Sequence, residues 1–545
     1  MTQTMTHSMA AFQATVKQHP SSPDAWFNLG KALADAGAFA GAVLAYRRSV
    51  ELGPGDASVH YNLGNTLRRA GDTEAAIAAY RTAITWDANT AVIHLNLGSA
   101  LDDAGDLDGA VGAYREALRC DPRSAQAFNN LGNVYDKRGQ HARAEEAYRS
   151  ALRLQPDLPD AWYNLAGVLA RQDRPREAEA AYRGALRLRP EFVEAVINLA
   201  GVVQDLGRFT EAIELLRHAV SLQSASAEAH FNLGLALLQS GAWDEGWKEF
   251  EWRHKTAEGL THTREGSHPA WDGVVRPQGT LLVRAEQGYG DTLQCVRFLP
   301  LLAADNVRVV VECRAELLPL LASLRGPVEL TTPDRPVMGV THEIGLLSLA
   351  AMLHTTPYTI PSRVPYLHAP EDRSAAWRTR LSAGRRALHV GIAPSGNPSH
   401  KNDRKRSIPQ QELLPLFGVQ GVVWHTFFSP SDVHAEGFPP GLPVVHHGDE
   451  IRDFGDSGAL MENLDLLISA DTAPAHLAGA LGCPVWVMLP YNPDWRWLLV
   501  RNDTPWYPTA RLFRQPGPGA WMPVVEQIRE ELSRIATITV PGEDA

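Results

Sequence analysis

Apolar positions in the first half of the chain recur at helical spacing, and the pattern itself repeats. The segments WFNLG, HYNLG, HLNLG, FNNLG, WYNLA, VINLA and HFNLG begin at residues 26, 60, 94, 128, 162, 196 and 230, each 34 residues after the last. Small residues recur in the same register at Ala42, Ala76, Ala110, Ala144, Ala178, Ala212 and Gly246, where one helix must approach another closely. Bulky ones follow four later, at Tyr46, Tyr80, Tyr114, Tyr148, Tyr182, Leu216 and Phe250. Pro54, Pro122, Pro156 and Pro190 end the second helix of a pair, because proline lacks the N–H that propagation needs. Residues 8 to 20, with Phe12 and Pro20 in register, read as a lone second helix capping the array.

A 34-residue helix-turn-helix period is that of the tetratricopeptide (TPR) repeat. The pattern predicts a capping segment at 1–22 and seven repeats over 23–256, stacked into a superhelix with a concave face. Asparagine stands two residues after the start of every segment: Asn28, Asn62, Asn96, Asn130, Asn164, Asn198 and Asn232. It lies about 100° around the helix from the leucine that follows, so it need not enter the core. Two readings stand side by side. A ladder of carboxamides matches the C=O and N–H of an extended polypeptide without reading its side chains. The plainer alternative is that each asparagine bonds a neighbouring helix. The ladder resembles that of the protein O-GlcNAc transferase superhelix, which implies a protein acceptor bound on the concave face.

Beyond 256 the period is lost. Residues 257–279 are polar with scattered glycine and proline and read as a linker. The pattern then changes class. Short β-branched runs at 280 (TLLV), 307 (VRVVVEC), 387 (ALHVGIAP), 421 (GVVWHTF), 465 (DLLISA) and 484 (PVWVML) alternate with helical stretches. Such alternation predicts parallel, doubly wound sheets. A charged interval at 366–386 divides two Rossmann-like lobes, 280–370 and 386–537. The whole chain is thus expected to be an α superhelix followed by an α/β region, two lobes facing a cleft in the GT-B manner.

Composition narrows the classes. A net charge of −11 argues against a general nucleic-acid binder. Cys120, Cys295, Cys313 and Cys483 are far apart and form neither a disulfide framework nor a zinc knuckle. No leader pattern or membrane-length apolar run is visible, so a cytoplasmic protein is expected.

Three clusters fall at the carboxyl ends of predicted strands, where open α/β sheets bind ligands. In RAEQGYGDTLQCVRFLP (284–300), Gly288 and Gly290 are expected to turn the chain and admit substrate to the backbone. The stretch is neither GxGxxG nor a P-loop. Asp291 is either a cap for the helix that follows or a general base. In SGNPSHKNDRKRSIP (395–409), Lys401, Arg404, Lys405 and Arg406 concentrate positive charge and suit an anion, unless the loop is merely solvated. In SADTAPAHLAGALG (469–482), Asp471, Thr472, Ala473 and His476 open a helix whose free N–H groups suit a phosphate, or simply form an ordinary capped helix. In the α/β half no Asp-x-Asp or His/Cys grouping calls for a metal, and no cofactor is expected; the adjacent His446 and His447 should point to opposite faces of a strand.

These three clusters, with DWRWLLVRNDTPWYPTARLFRQ (494–515), resemble bacterial TPR-linked glycosyltransferases of the heptosyltransferase-like type. The resemblance covers nearly the whole chain. It implies a catalytic base at Asp291 and sugar-nucleotide binding by the Lys401 loop and the helix start from Thr472 to His476. Where that family generally has glycine after the Asp-Thr pair, this chain has Ala473 and Pro474, so a less close approach of the backbone to the diphosphate is expected. The implied activity is inverting, metal-independent transfer from a nucleotide-sugar to a protein hydroxyl, flagellin or another surface protein being the expected kind of acceptor. A TPR scaffold with a degenerate transferase half, or a transferase acting on lipopolysaccharide or other glycan, are the alternatives.

Overall fold

The computed structural model describes residues 2–53, 55–262, 268–273, 279–302, 307–382, 387–398, 402–427 and 442–539. They fall into two compact units, 1–202 and 203–545. In the first, each 34-residue period becomes a helix pair: Pro23–Asp35 with Phe39–Leu52, Ala57–Arg69 with Thr73–Trp86, Ala91–Asp103 with Leu107–Cys120, Ala125–Lys137 with His141–Leu154, and Pro159–Arg171 with Pro175–Leu188. Val193–Asp205 opens the next pair. Local chemistry sets the ends. Asp56, Asp72, Asp106 and Ser124 are N-caps whose side chains accept backbone N–H groups that lack a helical partner. The turn within a pair needs positive φ, supplied by Gly37, Gly71, Gly105 and Gly139 and, in the fifth pair, by Asp173.

The recurring alanines are fully buried, and the tyrosines nearly so. Four of the five tyrosine rings, Tyr46, Tyr80, Tyr114 and Tyr148, lie against a glycine of the facing helix, whereas the fifth repeat has Ala166 in that register. A Cβ on Gly64 would sit 2.7 Å from the Tyr80 ring, and one on Gly132 would sit 2.6 Å from Tyr148. Glycine and tyrosine therefore act as one packing pair. The opening helix is Thr2–Gln18, with Val16 and Phe12 packed on Ala25, Leu29 and Ala45. Pro54 lies outside the described residues.

The second unit begins with Phe209–Leu222, Ala227–Ser240 and Trp243–Phe250, which keep the repeat register. Two all-parallel sheets follow. The first contains β1 (Thr280–Arg284), β2 (Arg308–Glu312), β3 (Val328–Thr331) and β4 (Val340–Gly345), in the order β3-β2-β1-β4. The second contains β5 (Leu388–Ala393), β6 (Val422–Thr426), β7 (Val444–His446), β8 (Leu466–Ala470), β9 (Val485–Leu489) and β10 (Ala510–Arg514). Its order, β10-β9-β8-β5-β6-β7, is that of a doubly wound sheet, with the topological switch between β5 and β8. The first sheet switches between β1 and β4. The interval between the sheets holds the helix Glu371–Ser382, tied to the second lobe by Arg373 donating to Asp453 (2.7 Å) and Asp456 (3.0 Å).

The last repeat is built into this unit. Trp243, Trp247, Trp495 and Trp506 are all buried and meet at ring-centroid distances of 5.2 to 6.4 Å. Trp247 Nε1–H donates to the Thr355 carbonyl in the first lobe (2.8 Å). Just beyond, the buried Arg253 donates to Glu286, two residues past β1 (2.6 Å), and to Ser348 (2.6 Å). The unit thus starts inside the sixth repeat rather than at the polar stretch near 257.

Candidate functional site

Both switch points carry sequence-predicted residues. The chain leaving β1 turns through Gln287, the residue in the left-handed region (φ 62°), whose carbonyl accepts from Arg314 (3.2 Å). The expectation that Gly288 and Gly290 make the turn is therefore corrected. Gly288 is extended (φ −87°, ψ 170°), and Gly290 lies in the helix Tyr289–Cys295. Gly290 is needed for space: a Cβ there would lie 2.7 Å from His476 Cδ2. Its helix crosses Ala473–Leu481 of the other lobe at that point, bringing the two switch points together.

Asp291 is the third residue of its helix. One carboxylate oxygen accepts the Gly288 N–H (2.8 Å), and the other takes a hydrogen bond from Arg496. Burial pushes its carboxyl above the ordinary value, against the opposing pull of Arg496. The 494–497 segment responsible is one the strand-and-helix pattern did not single out. Arg496 also donates to Gln294 (2.6 Å) and Asp494 (2.8 Å). An arginine between Trp495 and Trp497 was the available signal, since aromatic flanks mark a guanidinium held out of water.

On the second lobe, Thr472 is the N-cap of Ala473–Leu481 in extended backbone, with Pro474 in the first turn and Ala473 half-buried. Asp471 and His476 are buried, with Asp471 Oδ1 4.0 Å from His476 Nε2. Burial, and then the nearby Asp494, push the Asp471 carboxyl up to about 7. Burial and the surrounding arginines hold His476 well below its ordinary value, so it is neutral. Its Nδ1 is hydrogen-bonded to the Tyr507 hydroxyl (2.9 Å), and its ring stacks on Trp497. Arg406 donates to Asp403 (3.2 Å) and to the Asp471 carbonyl (3.2 Å), which brings the β5 loop to the start of this helix. Arg404 is exposed. Lys405 pairs with Asp205 of the sixth repeat (2.5 Å). Lys401 lies outside the described residues.

The repeat asparagines are not equivalent. Asn96 donates to Tyr61 (3.1 Å) and Asn65 (2.8 Å), Asn164 to Asn133 (2.9 Å), and Asn198 to Tyr163 (3.0 Å). Asn62 and Asn232 donate to carbonyls one turn back in their own helices. Asn130 accepts from Asn129 (3.4 Å), and Asn28 is exposed. Bonding to a neighbouring helix therefore occurs at three positions. Asn65 and Asn133, which also accept Tyr80 and Tyr148 hydroxyls, were legible as Asn-x-x-Asn on one helix face.

A separate file of imidazoles lies across β5, β6 and the end of β7. His389 Nδ1 meets His425 Nε2 (2.9 Å), His425 Nδ1 meets His447 Nε2 (3.0 Å), and His447 Nδ1 meets Glu450 (3.3 Å). The carboxylate only accepts, so each imidazole donates from Nδ1 along the file. Trp377 packs edge-on against His447, and Arg380 pairs with Glu450. Burial, then the neighbouring imidazoles, lower His425 to about 3 from an ordinary 6.5. The unfolded chain therefore binds more protons between those values, and stability is full above pH 6.5 and falls as pH drops toward 3. Thermal midpoints should decline more steeply with acid in the parent than in His425→Gln. Parallel curves would contradict this assignment.

The family model described as the cilia and flagella-associated protein 70 C-terminal domain matches residues 2–268. Protein FlbA of Caulobacter vibrioides is 26% identical over 333 residues, covering 55% of this chain and 54% of FlbA. This chain thus spans about half the length of that curated relative. Among solved structures, MamA is 25% identical over 30% of this chain and 97% of its own, at a TM-score of 0.29. PilF of Pseudomonas aeruginosa is 22% identical over 38% and 94%, at 0.35. YrrB, a TPR protein with an unusual peptide-binding site, is 22% identical over 34% and 94%, at 0.30. The 34-residue register and the helix pairs make this chain a TPR-repeat protein, followed by a region of parallel sheets. No helix among the described residues is long and apolar enough to cross a membrane.

Proposed function

We propose that the chain is an inverting, metal-independent glycosyltransferase of GT-B architecture that moves a sugar from a nucleotide-sugar to a protein hydroxyl. The observation carrying this reading is the meeting of two switch points at Gly290 and His476, with a carboxylate on one lobe and a basic loop and helix start on the other. Asp291 takes the proton of the acceptor hydroxyl as its oxygen bonds to the anomeric carbon. The bond from that carbon to the diphosphate breaks on the opposite face, and the nucleoside diphosphate leaves with the electron pair. Lys401, Arg404, Arg406 and the N–H groups following Thr472 stabilise its growing charge. The neutral His476 supplies a hydrogen bond without competing for the proton.

The repeats bind the acceptor in this reading. With their N–H₂ groups committed to the preceding repeat, Asn96, Asn164 and Asn198 offer a carboxamide oxygen to a backbone N–H of the bound chain. The test is incubation with a panel of sugar nucleotides and proteins extracted from cells lacking the gene, followed by mass spectrometry. Added sugar on a protein is the expected result. Donor binding with sugar added only to lipopolysaccharide would favour a glycan transferase, and no donor binding at all would favour a scaffold. Changing Asn96, Asn130, Asn164 and Asn198 together to alanine should lower transfer to a full-length protein while leaving donor hydrolysis by water unchanged. Normal transfer by that variant would remove the ladder from the acceptor site.

A further inference from the structure

Arg496 makes three hydrogen bonds that lie in two different lobes. Its Nη2–H donates to Asp291 and its Nε–H to Gln294 (2.6 Å), both on the helix Tyr289–Cys295. Its Nη1–H donates to Asp494 (2.8 Å) in its own segment. The guanidinium is buried, with 8% of its side chain exposed, and lies 4.4 Å above the Trp495 ring. Trp495 in turn packs on Trp247 and Phe250 of the last repeat (5.2 and 6.2 Å). A planar fork with fixed donors can serve three acceptors at once; a lysine ammonium on a flexible stem cannot hold all three in that geometry.

We propose that Arg496 is the positioning residue for Asp291: it holds the carboxylate ionised inside a buried site and fixes which oxygen faces the acceptor. This rests on the transferase reading given above. Left alone, a buried carboxyl takes up a proton and cannot serve as a base; a guanidinium in contact restores the charged form. Other groups act on Asp291 in the opposite sense. Asp494 and Glu286 favour its protonated form, and Cys295 lies in the same helix. His476, packed against Gly290, is neutral and adds no charge. Arg496 is therefore the cation that opposes burial and two carboxylates, with burial still the larger effect. The Gly288 N–H, on the other oxygen, leaves that oxygen's second lone pair for the acceptor proton.

The experiment compares the full-length parent with Arg496→Gln and Arg496→Lys by two measurements. One is the pH profile of transfer. The other is isotope-edited infrared titration of aspartate carboxyls, with Asp291→Asn identifying the band. The acid limb and the Asp291 band should both move to higher pH in the order parent, Lys, Gln, the last by about 1 unit or more. Turnover should fall in Arg496→Lys even at pH values where Asp291 is ionised, because the fork is lost. A folded Arg496→Gln with lower turnover but an unmoved limb and band would make Arg496 merely structural and overturn the proposal. If the glutamine variant does not fold, Arg496→Lys decides: a limb, band and turnover all equal to the parent's overturn it. The infrared measurement needs no turnover. A moving band in a protein that transfers nothing would sink the transferase reading and leave the Arg496–Asp291 coupling standing.

Discussion

Asparagine in place of Asp291 is expected to lower transfer at least about a hundredfold while donor affinity stays within about twofold of the parent. A general base contributes on the order of 10²- to 10⁴-fold, and an amide does not take the acceptor's proton. Donor affinity should survive because the basic loop and the helix start at Thr472 belong to the other lobe. Stability gives a second reading of the same variant. Were Asp291 only a helix cap, asparagine would cost well under about 1 kcal/mol. Its partner, however, is a buried guanidinium that also carries Asp494 and Gln294. Removing one counter-charge should cost more, roughly 1–3 kcal/mol, the remaining carboxylate limiting the loss. Calorimetric donor affinity, steady-state transfer and urea midpoints measure the three quantities. Near-normal turnover would leave Asp291 as a structural carboxylate.

The second large effect is expected at Trp247. Alanine there removes an indole that is 4% exposed, touches Trp243, Phe250 and Trp495, and donates to the Thr355 carbonyl. Burial of that size predicts a loss of about 3–5 kcal/mol, because Trp243 and Phe250 are fixed on the same helix and Trp495 on a separate turn, so the three cannot close the cavity together. Trp86, 52% exposed on a second helix of the array, is the control. Its replacement by alanine should stay within about 0.5 kcal/mol. Equal shifts in the urea midpoint for the two variants would mean that the cluster does not hold the last repeat to the lobes.

The strands read from the chain and those missed divide on a physical line. β1, β2, β5, β6, β8 and β9 were legible as apolar, β-branched runs; each has a hydrogen-bonded neighbour on both sides. The four missed, β3, β4, β7 and β10, are all sheet edges. An edge strand lacks a second strand neighbour (β4 meets only Pro269 and Trp271 there, through Glu343), so VELT, VTHEIG, VVH and ARLFR carry the polar residues that conceal them. The helical array was legible because one packing solution, alanine and tyrosine against glycine, is written out repeatedly.

The site divides in the same way. Asp471 and Thr472 stand directly after a predicted strand, and Asp291 and His476 in the helix that follows one; the ends of strands are where a doubly wound sheet presents ligand groups. Arg496 comes from a short helical turn, Trp495–Trp497, with no periodicity to place it. Its three-way hydrogen bonding depends on a crossing of two lobes that no local pattern contains. Gln287 is another such case: nothing in its side chain announces positive φ, whereas the adjacent glycines invite the wrong assignment.

The tryptophan-sealed last repeat bears on how such a chain can be recombined. If the array were a detachable cassette, its natural seam would be the polar stretch where the 34-residue period stops. A splice there would cut Trp243, Trp247, Phe250 and Arg253 away from the aromatic rings and the Glu286 carboxylate they serve. The contact pattern instead puts the seam at 202/203, within the helix Val193–Asp205. The repeats before that seam are free to lengthen, shorten or be traded, and so to acquire new cargo. Those after it are bound to drift in step with the lobes, so the last repeats should carry the history of the parallel sheets rather than that of the solenoid.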